Sequence, residues 1–280
     1  MTDALRKGEL KVEGRLTDAS NATLYCVAVL GDSDSGSDGD NNRDGNGADN
    51  GNGQSSVTCV YKPIAGENPL WDFPDGTLAA REVAAYEVSV ALGWDLVPET
   101  ILRDGPFGPG MCQRWIDVDE KTQLLAVLPM NARGDDLDGW CPIMSVSLTN
   151  GEQGILSHQD NDELRRIALF DVIINNADRK GGHVLPTADG YVYAIDHGVT
   201  FHTDDKLRTV LWGFADRPLN DAEIADLKRL RADDALADRV AELLTEPETA
   251  ALHARISALL AAGRFPKPAG RQRPVPWPLI

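Results

Sequence analysis

The sequence predicts an α+β chain of two lobes: an antiparallel, strand-rich N-terminal part carrying one helix, then a helix-rich C-terminal part. Two observations predict it. Short β-branched or aromatic runs concentrate before residue 120, and helix caps followed by apolar periodicity concentrate after it. That order suits two lobes with a cleft between them, because a doubly wound sheet alternates strands and helices along the chain.

The elements follow in order. LKVEGRL (10–16), LYCVAVL (24–30) and VTCVYKPI (57–64) read as three antiparallel strands. Between the second and third, residues 31–56 hold Gly, Asp, Asn and Ser at 23 of 26 positions. Such a stretch has no apolar surface to set against the entropy of ordering, so it reads as a disordered hairpin insert. Asp40 to Gly45 copies the opening of an EF-hand loop, but Gly51 stands where the bidentate Glu belongs, and the flanks are strands. LAAREVAAYEVSVALG (78–93) reads as a helix with an apolar stripe of Leu78, Val83, Tyr86 and Val90. ETILRD (99–104) and GMCQRWIDV (110–118) read as strands joined by GPFGP.

After residue 120 the pattern reads as mainly helical. Asp160 with Glu163 forms a capping box ahead of LRRIALFDVIINN, Asn220 with Glu223 starts a second helix, and Thr245 with Glu248 a third to about residue 262. The expected boundaries are residues 1–116 for the first lobe, 117–263 for the second, and 264–280 for an extended Pro-rich tail.

Composition excludes some functions. The 280 residues carry 27 Lys plus Arg against 44 Asp plus Glu, a formal charge of −17, and the pI is about 4.6. A general nucleic-acid binder needs cations to replace phosphate counterions, so nucleic acid is not an expected partner. No apolar run approaches the ~20 residues of a spanning helix, so no transmembrane segment is expected. The start, MTDALRKGELKVEG, lacks a signal-peptide core, and Cys26, Cys59, Cys112 and Cys141 form no CxxC pair. Reduced thiols in a cytoplasmic protein are the expectation.

The densest chemistry lies in INNADRKGGHVLPTADGYVYAIDHG (174–198). A helix ends near Asn176, a polar loop carries Asp178 to Gly182, and a hairpin follows with PTADG as its turn. Pairing Leu185 with Tyr191 sets His183 opposite Tyr193 and leaves Asp196 three residues on, about 10 Å towards the open end. Asp178, His183 and Asp196 then meet at one corner. Two carboxylates and an imidazole there suit holding Mg²⁺ and positioning a hydroxyl.

Asp178-Arg179-Lys180, with His183 five residues after the Asp, and then Ile195-Asp196-His197-Gly198, resemble the catalytic loop and metal-binding Asp of the kinase superfamily. The form Asn176-Ala177-Asp178-Arg179 is nearer to phosphatidylinositol 3- and 4-kinases and HipA-like kinases. Residues 8–263 resemble an actinobacterial phosphatidylinositol 3/4-kinase-like family, whose members share the strand lysine, R-E-x-A-A-Y-E, D-R-K-G-G-H and I-D-H-G. The resemblance implies a two-lobed atypical protein-kinase-like fold and an ATP- and metal-dependent phosphotransferase. Asp178 is its implied catalytic residue, with Lys180 contacting the transferred phosphate, and Asp196 and His183 hold the metal. Lys62, in CVYKPI, is the implied nucleotide-phosphate cation, steadied by Glu82, with Glu87 as fallback.

The turn Thr17–Thr23, including Ser20 and Asn21, stands in the place of a phosphate-covering loop, although it contains no Gly. Adenine is expected at backbone groups around Gln113, Arg114 and Trp115. His183 replaces the usual Asn, and imidazole suits Mn²⁺ better than Mg²⁺. His197 replaces Phe. These departures keep open a nucleotide-binding pseudokinase without phosphotransfer. Asp171 falls on the apolar stripe of its helix and reads as a buried structural hydrogen-bonder. The acceptor is a protein or small-molecule hydroxyl; a phosphoinositide is disfavoured, because a chain of −17 gains nothing from an anionic lipid surface.

Overall fold

The computed structural model describes residues 3–16, 21–31, 55–73, 77–148, 151–268 and 273–279. Most of the insert, Ser20 and the Pro74–Gly76 stretch lie outside the described residues.

A short helix α1 (Asp3–Lys7) precedes five strands: β1 (Glu9–Arg15), β2 (Leu24–Leu30), β3 (Ser55–Pro63), β4 (Thr100–Gly105) and β5 (Gly108–Arg114). They form one antiparallel sheet in the order β1-β2-β3-β5-β4. Alternation decides its faces. In β2 and β3 the even-spaced Leu24, Cys26, Ala28 and Val57, Cys59, Tyr61 are buried, and α1 adds Ala4 and Leu5 to that core. The residues between them, Lys62 included, take the opposite face.

Helix α2 (Leu78–Leu92) crosses that opposite face. Thr77 caps it, Glu67 accepts the N–H groups of Leu78 and Ala79, and Gly93 ends it in the left-handed region at φ 66°. The expected stripe is incorrect: Val90 is exposed, whereas Ala79, Val83, Ala84, Ala85, Val88 and Leu92 are buried. Ala79 and Val83 pack on Met111 of the sheet, while Ala84, Ala85, Val88 and Leu92 enter the larger C-terminal core. A helix shared by two lobes needs two apolar faces, so no single stripe marks it.

The mainly helical pattern expected after residue 120 starts only at 162. Before it lies a three-stranded antiparallel sheet, β6 (Leu125–Pro129), β7 (Trp140–Ser147) and β8 (Gln153–Gln159), in the order β6-β8-β7. Gly134, Gly139 and Gly151, all at positive φ, mark the connections between its strands.

The helices that follow are α3 (Asp162–Ile174), α4 (Asp221–Arg231), α5 (Asp234–Ala241) and α6 (Glu246–Ala262). Asn161, not Asp160, caps α3 by accepting from Leu164 N–H, and Asp160 pairs with Arg217 at 2.7 Å instead. The boxes at Asn220 and Thr245 are both present.

Between α3 and α4, β9 (Val184–Pro186) pairs with β10 (Val192–Ala194). The observed register sets Leu185 against Tyr193, two residues from the expected one. Thr187 N–H bonds to Tyr191 O, so the loop is only Ala188-Asp189-Gly190, with Gly190 at φ 86°. The tail is docked rather than free. Pro274 O accepts from Thr209 N–H and Trp212 Nε1–H, and Leu279 O accepts from Gly181 N–H.

One close approach constrains the C-terminal lobe. Gly213 N–H donates to His158 Nε2 at 3.1 Å, and a Cβ at Gly213 would run into Cys141 Cβ and the His158 ring. Gly213→Ala should therefore destabilise by about 1–3 kcal/mol in urea unfolding. Gly14→Ala, where a Cβ meets nothing, should stay within about 0.5 kcal/mol.

Candidate active site

The site begins with a buried cation. Arg179 and Asp171 are both wholly buried and meet through Arg179 Nε and Nη2, at 3.0 to 3.1 Å. Asp171 also accepts from Asn176 Nδ2 at 2.9 Å and Thr209 Oγ1 at 3.3 Å. Burial raises the Asp171 carboxyl, against the pull of Arg179 and these donors. The reading of Asp171 as a structural hydrogen-bonder agrees with this geometry. The remaining Arg179 donors fix two loops. Nη1 reaches His183 O at 3.2 Å and Ile195 O at 2.9 Å, and Nη2 reaches His197 Nε2 at 2.7 Å.

That clamp sets Asp196 at the start of the loop after β10, in the left-handed region at φ 61°. Its Oδ1 lies 2.8 Å from Lys62 Nζ on β3, which lies 2.7 Å from Glu82 Oε1 on α2. Glu82 Oε2 accepts from the backbone N–H of His197 at 2.8 Å. Strand, helix and metal-loop candidate are thus joined through three side chains. Burial works against the Lys62 charge, but Asp196 and Glu82 outweigh it and raise its pKa. Lys62 in turn holds Asp196 well below the usual carboxylate range. Glu87, the fallback partner, pairs with Arg239 of α5 at 2.6 Å and does not reach Lys62.

His183 Nε2 lies 3.2 Å from Asp196 Oδ2, a contact the corrected hairpin register brings about. Burial lowers the His183 pKa to about 4, so the neutral ring donates from Nε2 and its buried Nδ1 has no partner. Asp178 and Lys180 face each other at 2.9 Å across their loop. Burial raises the Asp178 carboxyl, opposed by Lys180 and Arg208. A carboxylate so raised is better suited to accept a proton from a hydroxyl.

The segment expected at adenine makes its own contacts within the fold. Gln113 is buried inside the sheet with Nε2 on Thr100 Oγ1, Arg114 N–H bonds to Glu99 O, and Trp115 N–H bonds to Thr58 O. The backbone donors of Arg114 and Trp115 are thus used within the N-terminal lobe, and β5 itself ends at Arg114. The Arg114 guanidinium lies over the Tyr193 ring, and Trp115 meets Tyr25 edge-on at 5.0 Å. Asn21 Oδ1 accepts from Asn68 N–H, so its side chain ties the β1–β2 turn to the chain after β3. Ser20 is outside the described residues. Sequence reasoning passed over the Glu82–His197 bond and the Leu279–Gly181 bond. Both run through backbone atoms, which leave no residue-type signal.

Among the described residues no group of three His, Cys, Asp or Glu side chains is disposed to cage a metal. A magnesium-type ion does not need one, because one or two carboxylates plus phosphate oxygens and water complete its shell. Asp196, with His183 beside it, fits that mode. The imidazole nitrogen tilts the donor set towards Mn²⁺.

No family model matches the chain. Protein Rv2133c of Mycobacterium tuberculosis is 44% identical over 290 residues, spanning 98% of this chain and 93% of that protein. The chain belongs to the Rv2133c family. Among solved structures, the Golgi casein kinase with Mn/ADP bound aligns at TM-score 0.52 and 12% identity, over 93% of this chain and 74% of that one. The structure of hydra Fam20 with sugar aligns at 0.52 and 13% identity, over 93% and 86%. At such identities the likeness establishes the fold: two-lobed, α+β and kinase-like.

Three histidines, His158 and His197 buried and His183 half-buried, should make the protein acid-labile. Burial lowers His158, His183 and His197 below the ordinary 6.5, so the folded state holds them neutral. The unfolded chain binds those protons first, and stability present above pH 6.5 is lost as pH falls. For His183, whose folded pKa is about 4, the expected slope is about 1.4 kcal/mol per pH unit between about 6 and 5, and His158 and His197 add to it in the same direction. Urea unfolding from pH 7.5 to 4.5 measures it; a flat profile would show that the three rings are not held neutral.

Proposed function

We propose that this chain is an ATP- and divalent-metal-dependent phosphotransferase acting on a hydroxyl group. The observation that carries the reading is Lys62, bridging Glu82 Oε1 at 2.7 Å and Asp196 Oδ1 at 2.8 Å across 134 residues of chain. A cation steadied by a helix carboxylate beside a metal-type carboxylate is the arrangement that phosphoryl transfer uses. The kinase-like fold and the Mn/ADP bound in the Golgi casein kinase support it.

In this reading Lys62 neutralises nucleotide phosphates, and Glu82 keeps its ammonium aimed at them. Asp196 and His183 hold the metal, which supplies charge neutralisation on the phosphate oxygens. Asp178 orients the acceptor hydroxyl and takes its proton, while Lys180 offsets charge on the group in transfer. The chain after Arg114 receives adenine, and the turn with Ser20 and Asn21 covers the phosphates. The acceptor is a protein or small-molecule hydroxyl. The sequence resemblance to phosphatidylinositol 3/4-kinase-like proteins names a phosphoinositide, which the charge of −17 disfavours.

A second reading, a pseudokinase that binds nucleotide without transfer, has one observation in its favour. Both Asp196 oxygens are already engaged, Oδ1 by Lys62 and Oδ2 by His183, so a metal would compete with contacts the protein makes with itself.

Variants separate the two. Asp178→Ala should lower labelled-phosphate transfer about 10²–10⁴-fold while leaving ATP affinity near wild type. Asp196→Asn should abolish the tightening of ATP binding by Mg²⁺ or Mn²⁺, and His183→Asn should shift preference towards Mg²⁺. Wild-type ATP binding with transfer no greater than that of Asp178→Ala, in either metal, makes the protein a pseudokinase.

A further inference from the structure

A cavity of about 690 Å³ opens between α6, the end of α3, the segment after the metal loop and the tail. Its size falls within the roughly 300–1,000 Å³ range of small-molecule sites. None of Lys62, Glu82, Asp178, His183 or Asp196 lines it, so it is separate from the site above.

Its walls are of two kinds. Val172, Trp212, Leu259 and Phe265, with alanines along α6, make an apolar lining. Set into it are the cations Arg255, Arg264, Lys267 and Arg273, against the carboxylates Asp205 and Asp216. Asp216 is already taken, with Arg264 and Lys267 each 2.9 Å from it. Of the charged lining that leaves Arg255, Arg273 and Asp205, a local excess of positive charge on a chain of −17.

Arg255 is the more telling of the two. Its Nε and Nη1 are held by Ile173 O at 3.1 Å and His202 O at 3.0 Å, both neutral acceptors, and its buried Nη2 has no partner. Burial lowers its pKa to about 10 despite Asp205 and Glu248 nearby, and Glu248 is committed to Arg81. Nη2 is itself closed off from the cavity, so what the wall offers an incoming anion is the under-compensated charge of the guanidinium.

We propose that this cavity binds an anionic single-chain amphiphile, its chain along the apolar walls and its head drawn to the lining cations Arg255 and Arg273. A carboxylate and a phosphate head share that chemistry.

The test is calorimetric titration of the full chain with dodecanoate, dodecyl phosphate, dodecanol and dodecyltrimethylammonium, each below its micellar concentration. The expected result is one site per chain, with an anionic probe at least about tenfold tighter than dodecanol and the cation not binding. The better of the two anions names the head group. Ala258→Trp, on the exposed side of α6 at the cavity wall, should weaken the anion about tenfold or more without moving the melting temperature of the free protein. If that variant does not fold, Ala254→Phe on the same wall replaces it. Arg273→Ala should weaken the anions and leave dodecanol unchanged. Absence of binding, equal affinity for all four heads, or anion affinity indifferent to the cavity-filling change would each overturn the proposal.

Discussion

The Arg179–Asp171 pair is the constraint on which the candidate site depends. Two charges taken wholly out of water are tolerated only with good geometry and a full set of further hydrogen bonds. Both conditions are met, because Arg179 also binds two backbone carbonyls and the His197 ring. The consequence is positional. The same guanidinium that anchors the loop of Asp178 to α3 also anchors His183 O and Ile195 O, so the candidate catalytic and metal loops cannot drift apart separately. Breaking such a pair on one side leaves a bare buried charge, a loss of about 3–5 kcal/mol.

A second layer of interactions carries this rigidity to the other lobe. His197 N–H holds Glu82, Glu82 holds Lys62, and Lys62 returns to Asp196, so the ring of contacts closes on the loop where it began. Helix α2 must then be fixed independently, or it would pull on the ring. Arg81 reaches Glu248 of α6 at 2.5 Å, Glu87 pairs with Arg239 of α5, and Leu92 O accepts from Arg229 of α4. These ties act alongside Ala84, Ala85, Val88 and Leu92, which α2 packs into the C-terminal core.

Much of this was legible in the sequence, for local reasons. The N-terminal strands show clean alternation, and α2, α4 and α6 carry their own caps, so their ends could be read to within a residue or two. Asp178, His183 and Asp196 sit in one short stretch dense with titratable groups, which drew attention to them, whereas Lys62 and Glu82 were reached through the resemblance to kinases. What failed was non-local or sparse. Strands β6 and β7 are largely exposed and β8 buries three residues in a row, Leu156 to His158, so neither period dominates. The β9–β10 register depended on one choice, a five-residue turn instead of three residues with Gly190 at positive φ. The docking of the tail uses carbonyl oxygens of Pro274 and Leu279, and every residue has one.

Phe201 shows what the loop after Asp196 demands of the chain. It is wholly buried, its N–H bonds to Ile174 O at 2.6 Å, and its backbone lies at φ 62°, where a bulky residue is strained. Glycine would relieve about 1–2 kcal/mol of backbone strain. Emptying the ring from the core would cost about 3–5 kcal/mol. The backbone and the core make opposite demands at this position, and for glycine the loss of packing outweighs the relief of strain. A feature with no chemical role of its own is thereby pinned, and the loop that follows Asp196 keeps its course.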